Sequence, residues 1–340
     1  MKFDVMTGGL PLRSMASFAD DAARAGYSGV VVTEGARTAY MGCGAAALAA
    51  EIDILTGVAV AFPRSPMVTA EIAWELAEAT AGRFRLGLGT QVKAHITRRY
   101  GSEFDHPGPR LKEYVQAMQA IFRAFRGDEQ LAVDGEFFNL NLLPAQWSPG
   151  RIEAADPPID VAAVNPWMLR MAGEVADGVH VHPLNHPTYI TETVLPNLAA
   201  GAAVAGRDAA TLEVIVPTFI VPTDDDEAKW REFARMQVAF YGSTPNYAFI
   251  FEQLGFEGTT DRIRERQKAR DMAGMSAEVS DDLLSNFIVT GAFDELADKI
   301  LSRYDGLATR VVNYFGGLDW SSNPASMAKW AEVARGVTHP

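Results

Sequence analysis

The chain has 340 residues, of which 48% are hydrophobic and 21% are charged, and its formal net charge is −13. A chain of this length and composition can bury a full core, which excludes a disordered protein and fits one large α/β barrel or two ordinary domains. The acidic balance, 43 Asp and Glu against 30 Lys and Arg, argues against nucleic acid or an anionic membrane surface as the main partner.

Cysteine and histidine usage points to a reducing compartment. Cys43 is the single cysteine, so an intramolecular disulfide is excluded, and the six histidines show no zinc-binding spacing, so we expect no metal site. The N-terminal stretch MKFDVMTGGL lacks the longer apolar region of a signal peptide, and no apolar run approaches the length of a membrane span. The sequence therefore predicts a cytoplasmic protein.

Short β-rich runs alternate with Ala-rich helical patterns along the chain. The predicted strands are Phe3–Met6, Gly29–Thr33, Ile54–Ala61, Phe84–Gly89, Ile159–Ala163, Gly178–Val181, Leu212–Val221 and Thr309–Phe315. The helical patterns between them include Ser14–Ala25, Thr69–Ala79, Arg110–Phe125, Pro166–Ala176 and Asp294–Tyr304. This alternation predicts a (β/α)8 TIM barrel that forms a single domain over residues 1–340, rather than a doubly wound sheet.

Two segments depart from simple alternation. LAVDGEFFNL, after the fourth strand, places Asp134-Gly135 between strand-like residues and predicts a small hairpin. Residues 223–290, between the seventh and eighth strands, are rich in Phe, Tyr and Met and predict a helical insertion. Such a long insertion in a barrel is more often a lid than a separate domain.

The segment RFRLGLGTQVKAHITRRYG, from Arg83 to Gly101, predicts a strand that leads into an anion-binding loop. Gly87 and Gly89 allow the backbone to approach a ligand closely. The loop then carries the basic residues Lys93, His95, Arg98 and Arg99, a local reversal of sign in an acidic chain. The alternative is a solvated loop that follows a buried strand.

The carboxyl ends of barrel strands are where catalytic groups are expected. Glu34 follows the apolar run Val30–Val32, so it faces a partly desolvated cavity where a carboxyl group can handle a proton, although pairing with a cation at the strand end is an equal alternative. His180 and His182 end the sixth strand, and we expect only one of them, His182, to face the barrel axis.

The chain resembles the bacterial luciferase-like superfamily, and in particular its deazaflavin (coenzyme F420) dependent oxidoreductases. The resemblance rests on GVAVAFPRSP (57–66), GRFRLGLGTQVKAH (82–95), PPIDVAAVNPWMLRMAGEVADGVHVHPL (157–184) and IVTGAFDELADKI (288–300), taken in this order and spacing. It implies a (β/α)8 barrel with an insertion after the seventh strand.

The resemblance also implies roles for individual residues. Thr90 and His95 match positions that contact the deazaflavin or its tail, Val164 and Asn165 match a pair whose backbone holds that tail, and Gly57-Val58 matches a bulge that contains a non-proline cis peptide in several relatives. Glu34-Gly35, Val92 and Asn185 depart from the pattern of the family's sugar-phosphate dehydrogenases, which makes that activity doubtful.

The sequence thus predicts an enzyme that binds coenzyme F420 and exchanges hydride with a small, hydrophobic, unsaturated or carbonyl-containing substrate. Glu34 and His182 are the candidate proton donors. Candidate cofactor-binding residues are Gly57, Val58, Gly89, Thr90, Gln91, His95, Arg98, Arg99, Val164, Asn165 and Pro166, and candidate pocket walls are Tyr40, Phe62, Trp167 and Phe315. Alternatives are an FMN-dependent monooxygenase of the same superfamily and a cofactor-free binding or structural barrel. A homodimer is consistent with the resemblance.

Overall fold

A closed ring of parallel strands dominates the computed structural model, which describes residues 1–339. The strands are β1 (Lys2–Thr7), β2 (Gly29–Val32), β3 (Asp53–Thr56), β4 (Ala59–Val60), β5 (Phe84–Gly89), β6 (Val133–Asp134), β7 (Asn139–Leu140), β8 (Ile159–Ala163), β9 (Gly178–Val181), β10 (Glu213–Pro222), β11 (Ile288–Gly291) and β12 (Arg310–Asn313). The ring runs β1-β2-β3-β5-β8-β9-β10-β12 and closes where β12 pairs with β1. The predicted (β/α)8 barrel is therefore confirmed.

Helices surround the ring. They are α1 (Leu12–Ala25), α2 (Ala39–Ala47), α3 (Pro66–Ala79), α4 (Lys93–Arg98), α5 (Pro107–Arg126), α6 (Pro166–Val175), α7 (Pro187–Tyr189), α8 (Leu195–Val204), α9 (Glu227–Gly242), α10 (Ala248–Glu252), α11 (Thr259–Lys268), α12 (Met272–Ala277), α13 (Asp281–Ser285), α14 (Phe293–Tyr304), α15 (Gly316–Ser322) and α16 (Ser326–Thr338). Helices α9 to α13 form the predicted helical insertion between β10 and β12. No helix within residues 1–339 is both long and apolar enough to cross a bilayer.

The strands divide the hydrophobic core in two because successive side chains of a strand point to opposite faces. A small cluster fills the barrel interior and consists of Met6, Val31, Leu55, Ile215 and Val312. The alternate positions, such as Phe3 and Val5 of β1, pack outward in the larger cluster that the helices cover. A shift of one residue along a strand therefore moves a side chain from the barrel interior to the helix layer.

Below the apolar interior layer, the amino end of the barrel is closed by buried ion pairs. Arg310 of β12 donates to both carboxylate oxygens of Asp4, each at 2.7 Å, and to Asp53 at 2.9 Å. Arg85 donates to both oxygens of Asp160, at 3.0 and 2.6 Å. These buried charges fill the barrel interior at its amino end, so the interior opens toward the carboxyl ends of the strands.

The structure corrects four details of the predicted elements. The third predicted strand, Ile54–Ala61, is split into β3 and β4 at a cis peptide between Gly57 and Val58. The eighth, Thr309–Phe315, is shorter and ends at Asn313. The predicted loop after β5 contains a short helix, α4, and an unpredicted strand, β11, pairs with the end of β10.

The predicted hairpin is present, but Asp134-Gly135 does not form a two-residue turn. Asp134 pairs with Asn139, which leaves four residues in the loop. The carboxylate of Glu113 on α5 accepts the backbone N–H groups of Glu136, Phe137 and Phe138, at 3.0, 2.8 and 2.6 Å. This contact from a distant helix holds the wider loop.

Candidate functional site

Glu34, at the end of β2, is paired with a cation. Its side chain is buried, and its carboxylate accepts the Val60 N–H at 2.7 Å and two N–H groups of Arg64 at 3.0 and 2.5 Å. The Arg64 guanidinium also lies 4.8 Å from the centre of the Tyr40 ring. Both carboxylate oxygens already accept hydrogen bonds. Of the two interpretations of Glu34 from the sequence, its geometry matches pairing with a cation at the strand end.

The bend between β3 and β4 lies at the carboxyl end of the barrel beside Gly89, and we call the surface of Gly57, Val58 and Gly89 the platform. The Gly57–Val58 peptide is cis, and the hydroxyl of Thr33 donates to the Gly57 carbonyl at 3.0 Å. The side chain of Val58 covers Gly89 so closely that a Cβ at position 89 would lie 2.8 Å from Val58 Cγ2. Glycine is therefore required at 89 for this contact.

The basic segment after β5 is exposed and largely unpaired. Gln91, which has a φ of 56°, turns the chain into α4, and its side-chain oxygen accepts the Val92 N–H. Arg99 donates to the Gly35 carbonyl and stacks on Tyr100. Exposed side chains without a hydrogen bond or ion pair to any described residue are Lys93, His95 and Arg98. Positive groups thus remain available here to a ligand.

The start of α6 lies at the same end of the barrel. The side chain of Asn165 accepts the Met168 N–H at 3.0 Å and so caps the helix, in which Pro166 is the first residue. The carbonyl of Val164 accepts the Tyr189 hydroxyl at 2.7 Å. The Asn165 side-chain oxygen and the Val164 carbonyl therefore already have internal partners. Pro166 has no N–H, and the N–H groups of Met168 and Leu169 donate to Asn165, so the Trp167 N–H is the donor of the first helical turn that has no partner among the described residues.

His180 and His182 both face the barrel interior, and the prediction that only one would do so is wrong. Residues two apart on a strand share a face. A Cβ at Gly87 would lie 2.4 Å from His180 Nε2, so this glycine makes room for the ring, and Nε2 has no partner among the described residues. His182 lies one step closer to the mouth of the barrel.

His182 belongs to an aromatic cluster, which we call the mouth cluster and define as His182, Tyr241, Tyr247 and Tyr314. The ring centre of His182 lies 4.7 Å from that of Tyr241 and 4.6 Å from that of Tyr247. The hydroxyls of Tyr241 and Tyr314 are hydrogen-bonded at 2.6 Å. Tyr314 also packs on the apolar cluster inside the barrel, so the mouth cluster lies over the barrel axis.

Burial lowers the pKa of His182 to about 3, so the ring is neutral at pH 7. Its Nδ1 accepts the Leu184 N–H at 3.0 Å, which places the single ring proton on Nε2. Nε2 has no partner among the described residues and is not closed off from solvent. His182 thus offers a neutral N–H donor rather than an imidazolium acid.

Two of the four predicted pocket walls are core residues. Phe315 is 1% exposed and stacks on Phe219 and Trp230, because it points outward to the helices, whereas Tyr314 points inward with Arg310 and Val312. The ring of Tyr40 is covered by Arg64. The interpretation of Phe315 as a substrate-contacting wall is therefore wrong, whereas that of Tyr40, whose buried hydroxyl has no hydrogen-bond partner among the described residues, stays a prediction.

The other two predicted walls lie on one rim. Phe62 packs edge-on against Phe104 and lies 5.8 Å from the Arg110 guanidinium. Trp167 is 44% exposed and covers Gly108 at the start of α5. The sequence analysis missed Tyr241, Tyr247 and Tyr314, although it noted that the insertion is rich in Phe, Tyr and Met and although Tyr314 is adjacent to Phe315.

A cleft of about 780 Å³ lies at the opposite end of the barrel. It is lined by residues at or just before the starts of strands and by the end of the last helix, among them Lys2, Ser28, Glu213 and His339. None of the mouth-cluster residues borders it, and in barrels of this kind the amino end serves stability rather than chemistry. We therefore place the candidate site at the carboxyl ends of the strands.

Comparisons with known proteins agree with this geometry. Residues 2–310 match the family model described as luciferase-like monooxygenase. An uncharacterized protein of Mycobacterium tuberculosis, Rv1360, is 35% identical over 266 residues, which cover 78% of each chain. The 5,10-methylenetetrahydromethanopterin reductase of Archaeoglobus fulgidus is 29% identical over 263 residues, which cover 75% of this chain and 74% of the reductase.

Among solved structures, the coenzyme F420 dependent tetrahydromethanopterin reductase of Methanopyrus kandleri superposes with a TM-score of 0.77 at 22% identity, and the match covers 98% of this chain and 97% of the reductase. At that identity the superposition establishes the fold. The family match over residues 2–310 shows that the chain belongs to the luciferase-like monooxygenase family.

Proposed function

We propose that the protein is an oxidoreductase that binds coenzyme F420 at the carboxyl ends of the barrel strands and exchanges hydride with a small, hydrophobic, unsaturated or carbonyl-containing substrate. The observation that carries the proposal is the unpaired positive charge on α4 beside the platform of Val58 and Gly89. In a chain of net charge −13, exposed cations that lack internal partners are suited to an anionic ligand. The 29% identical protein of Archaeoglobus is named a reductase, and the structural neighbour from Methanopyrus kandleri is named as coenzyme F420 dependent, which supports the proposal.

The residues present fit both parts of the cofactor. The platform of Gly57, Val58 and Gly89 presents little protruding side chain and suits a flat ring system. Thr90, Gln91, His95, Arg98 and Arg99 follow it directly and would hold the acidic tail. The backbone N–H groups of Val164, Asn165 and Trp167, the last in the helical turn that begins with Pro166, would add donors for phosphate.

The protein's task is to orient the ring and exclude water, since the hydride chemistry belongs to the cofactor. Glu34, which the sequence suggested as a proton donor, is better suited to positioning the backbone of β4. Its carboxylate accepts hydrogen bonds from Val60 and Arg64 and so holds β4 against the end of β2. His182 is the better candidate for contact with the substrate, as a neutral hydrogen-bond donor. Phe62 and Trp167 would wall the entrance.

An FMN-dependent monooxygenase is the second candidate, and the description of the matching family favours it. FMN carries one phosphate and no longer acidic tail, so it would use the start of α6 and leave much of the charge on α4 unused. Cofactor affinity therefore distinguishes the two functions.

The test is equilibrium titration of the purified protein with coenzyme F420 and with FMN, followed by fluorescence. We expect F420 to bind with a dissociation constant in the micromolar range or tighter, about 8 kcal/mol of binding free energy. FMN should bind distinctly more weakly. A tighter FMN complex would replace this proposal with the monooxygenase, and no binding of either would leave a cofactor-free barrel.

A further inference from the structure

The mouth cluster combines side chains from the barrel and from the insertion. His182 and Tyr314 follow β9 and β12, whereas Tyr241 lies in α9 and Tyr247 in the short 3-10 turn Pro245–Tyr247. All four rings are partly exposed. They lie over the barrel axis, at the end of the barrel that carries the proposed cofactor platform.

The mouth cluster contains hydrogen-bond donors that have no acceptor among the described residues. The hydroxyls of Tyr241 and Tyr314 carry two protons, of which their mutual hydrogen bond uses one. The hydroxyl of Tyr247 has no hydrogen-bond partner among the described residues and is not closed off from solvent, and the same holds for His182 Nε2. Three N–H or O–H groups of the mouth cluster thus remain available to donate a hydrogen bond to a ligand.

These groups keep their protons at neutral pH. Burial raises the pKa of Tyr241 and of Tyr247 above 10, and burial beside the Tyr241 hydroxyl raises the pKa of Tyr314 further. No carboxylate of the described chain contributes to the pKa of any of the four residues. The mouth cluster is therefore uncharged and rich in hydrogen-bond donors.

A neutral set of donors between aromatic faces is complementary to an uncharged acceptor on a flat apolar molecule. A carboxylate would also accept hydrogen bonds, but the cluster holds no cation to offset the loss of its hydration. A carbonyl oxygen accepts two hydrogen bonds without that cost. Charge that builds on the oxygen during reaction would be stabilised by the same donors, as in an oxyanion hole.

We propose that His182 and Tyr247, supported by the hydroxyl pair of Tyr241 and Tyr314, form a pocket for the carbonyl oxygen of a planar, uncharged aldehyde, ketone or enone. This inference rests on the proposed function, whose substrate class it narrows. It assigns the insertion a direct role, because Tyr247 belongs to the insertion and His182 to the barrel.

The test uses 4-dimethylaminocinnamaldehyde, a flat dye whose visible absorption band moves to longer wavelength when its carbonyl oxygen accepts hydrogen bonds. We expect the wild-type protein to bind the dye with such a shift. Tyr247→Phe should reduce the shift and weaken binding by about 3- to 10-fold, the loss expected for one neutral hydrogen bond. His182→Phe should act similarly, whereas His182→Gln, which keeps an N–H donor, should restore part of the shift.

Tyr304→Phe is the matched control, because it removes a hydroxyl that is hydrogen-bonded to Thr218 outside the mouth cluster. It should leave the dye spectrum unchanged. An unshifted band in the wild-type protein, equal spectra for wild type and Tyr247→Phe, or tighter binding of 4-dimethylaminocinnamate than of the aldehyde would each overturn the pocket.

The two titrations distinguish a failure of the carbonyl pocket from a failure of the coenzyme F420 assignment. The dye titration needs no cofactor, so a shifted band that depends on Tyr247 supports the pocket even if coenzyme F420 does not bind. Conversely, tight F420 binding with an unshifted dye band supports the cofactor assignment and overturns the pocket.

Discussion

The direction of single side chains decides which residues form the site. His180 and His182 share the inward face of β9, and Tyr314 rather than Phe315 shares the inward face of β12 with Val312. The sequence analysis placed the candidate residues at the carboxyl ends of the strands, but at the eighth strand it chose Phe315 instead of the inward-facing Tyr314. Strand alternation predicts the inward set once a single inward residue, such as Arg310, is known.

His180 should make stability depend on pH. Burial, with smaller contributions from the charges of Arg85 and Arg310, lowers its pKa from 6.5 to about 3. Between these values the unfolded chain binds a proton that the folded protein does not, so folding stability falls as pH decreases below 6.5. One such histidine lowers the free energy of unfolding by about 2 kcal/mol between pH 7 and pH 5.

The measurement is urea unfolding of the wild type and of His180→Met at pH 7, 6 and 5. Because the other titrating groups are common to both proteins, the difference between their free energies of unfolding isolates His180. The wild type should lose about 2 kcal/mol more than the variant between pH 7 and pH 5. Parallel losses in the two proteins would show that His180 takes up its proton in the folded state.

The bounds of a helix or strand can be predicted from the sequence where a local pattern of residues determines that element. The apolar run that ends at Gly89 predicted β5 with its observed bounds, and the Ala-rich helices differ from prediction by a few residues at their ends. The wider hairpin loop depends on Glu113 of another element. The split of β3 from β4 lies at the Gly57–Val58 peptide, where the resemblance pointed to a bulge but the residues themselves do not determine the isomer. Tyr247 reaches His182 only through the tertiary fold, so sequence spacing could not reveal the mouth cluster.

The helix α4 should contribute to cofactor binding through Arg98 more than through Arg99. Arg98 has no partner among the described residues, whereas Arg99 already donates to the Gly35 carbonyl. Arg98→Ala should weaken F420 binding by about 1–3 kcal/mol, because a charge-assisted hydrogen bond is lost, and should reduce its salt dependence. Titrations at two salt concentrations measure both effects.

Arg123→Ala is the control, since it removes the same charge near the far end of α5. It should leave F420 affinity nearly unchanged. Thermal unfolding should also show little change for Arg98→Ala, because the side chain is exposed. If Arg98→Ala binds F420 as the wild type does, the basic segment is a solvated surface.

At the scale of the whole molecule, the barrel is asymmetric along its axis. Its amino end is closed by ion pairs, its middle is apolar, and its carboxyl end carries the platform, the basic helix and the mouth cluster. Gly29 makes room for this closure, since a Cβ there would lie 2.7 Å from Asp4 and 2.9 Å from Arg310. The sequence predicted the barrel, but it gave no sign of the buried charges at its amino end, because Asp4 and Arg310 are 306 positions apart.

The pair Asp4–Arg310 joins the first strand to the last, and its removal should show whether it stabilises the closed ring. Both side chains are fully buried. Arg310→Leu leaves the Asp4 carboxylate buried without its cation, which should cost about 3–5 kcal/mol. The double variant Asp4→Leu with Arg310→Leu replaces both charges by apolar groups, and Asp53 keeps its contact with Lys2 at 2.7 Å.

We therefore expect the double variant to be more stable than Arg310→Leu alone, with a coupling free energy of at least about 1 kcal/mol in a double-mutant cycle. Guanidinium chloride unfolding of the wild type, both single variants and the double variant measures it. Arg123→Leu, which breaks an exposed ion pair with Glu129, should leave the free energy of unfolding nearly unchanged. Additive losses from Asp4→Leu and Arg310→Leu would mean that the two charges act independently, and the closure of the barrel would then rest on the strand hydrogen bonds between β1 and β12 and on the apolar layer above them.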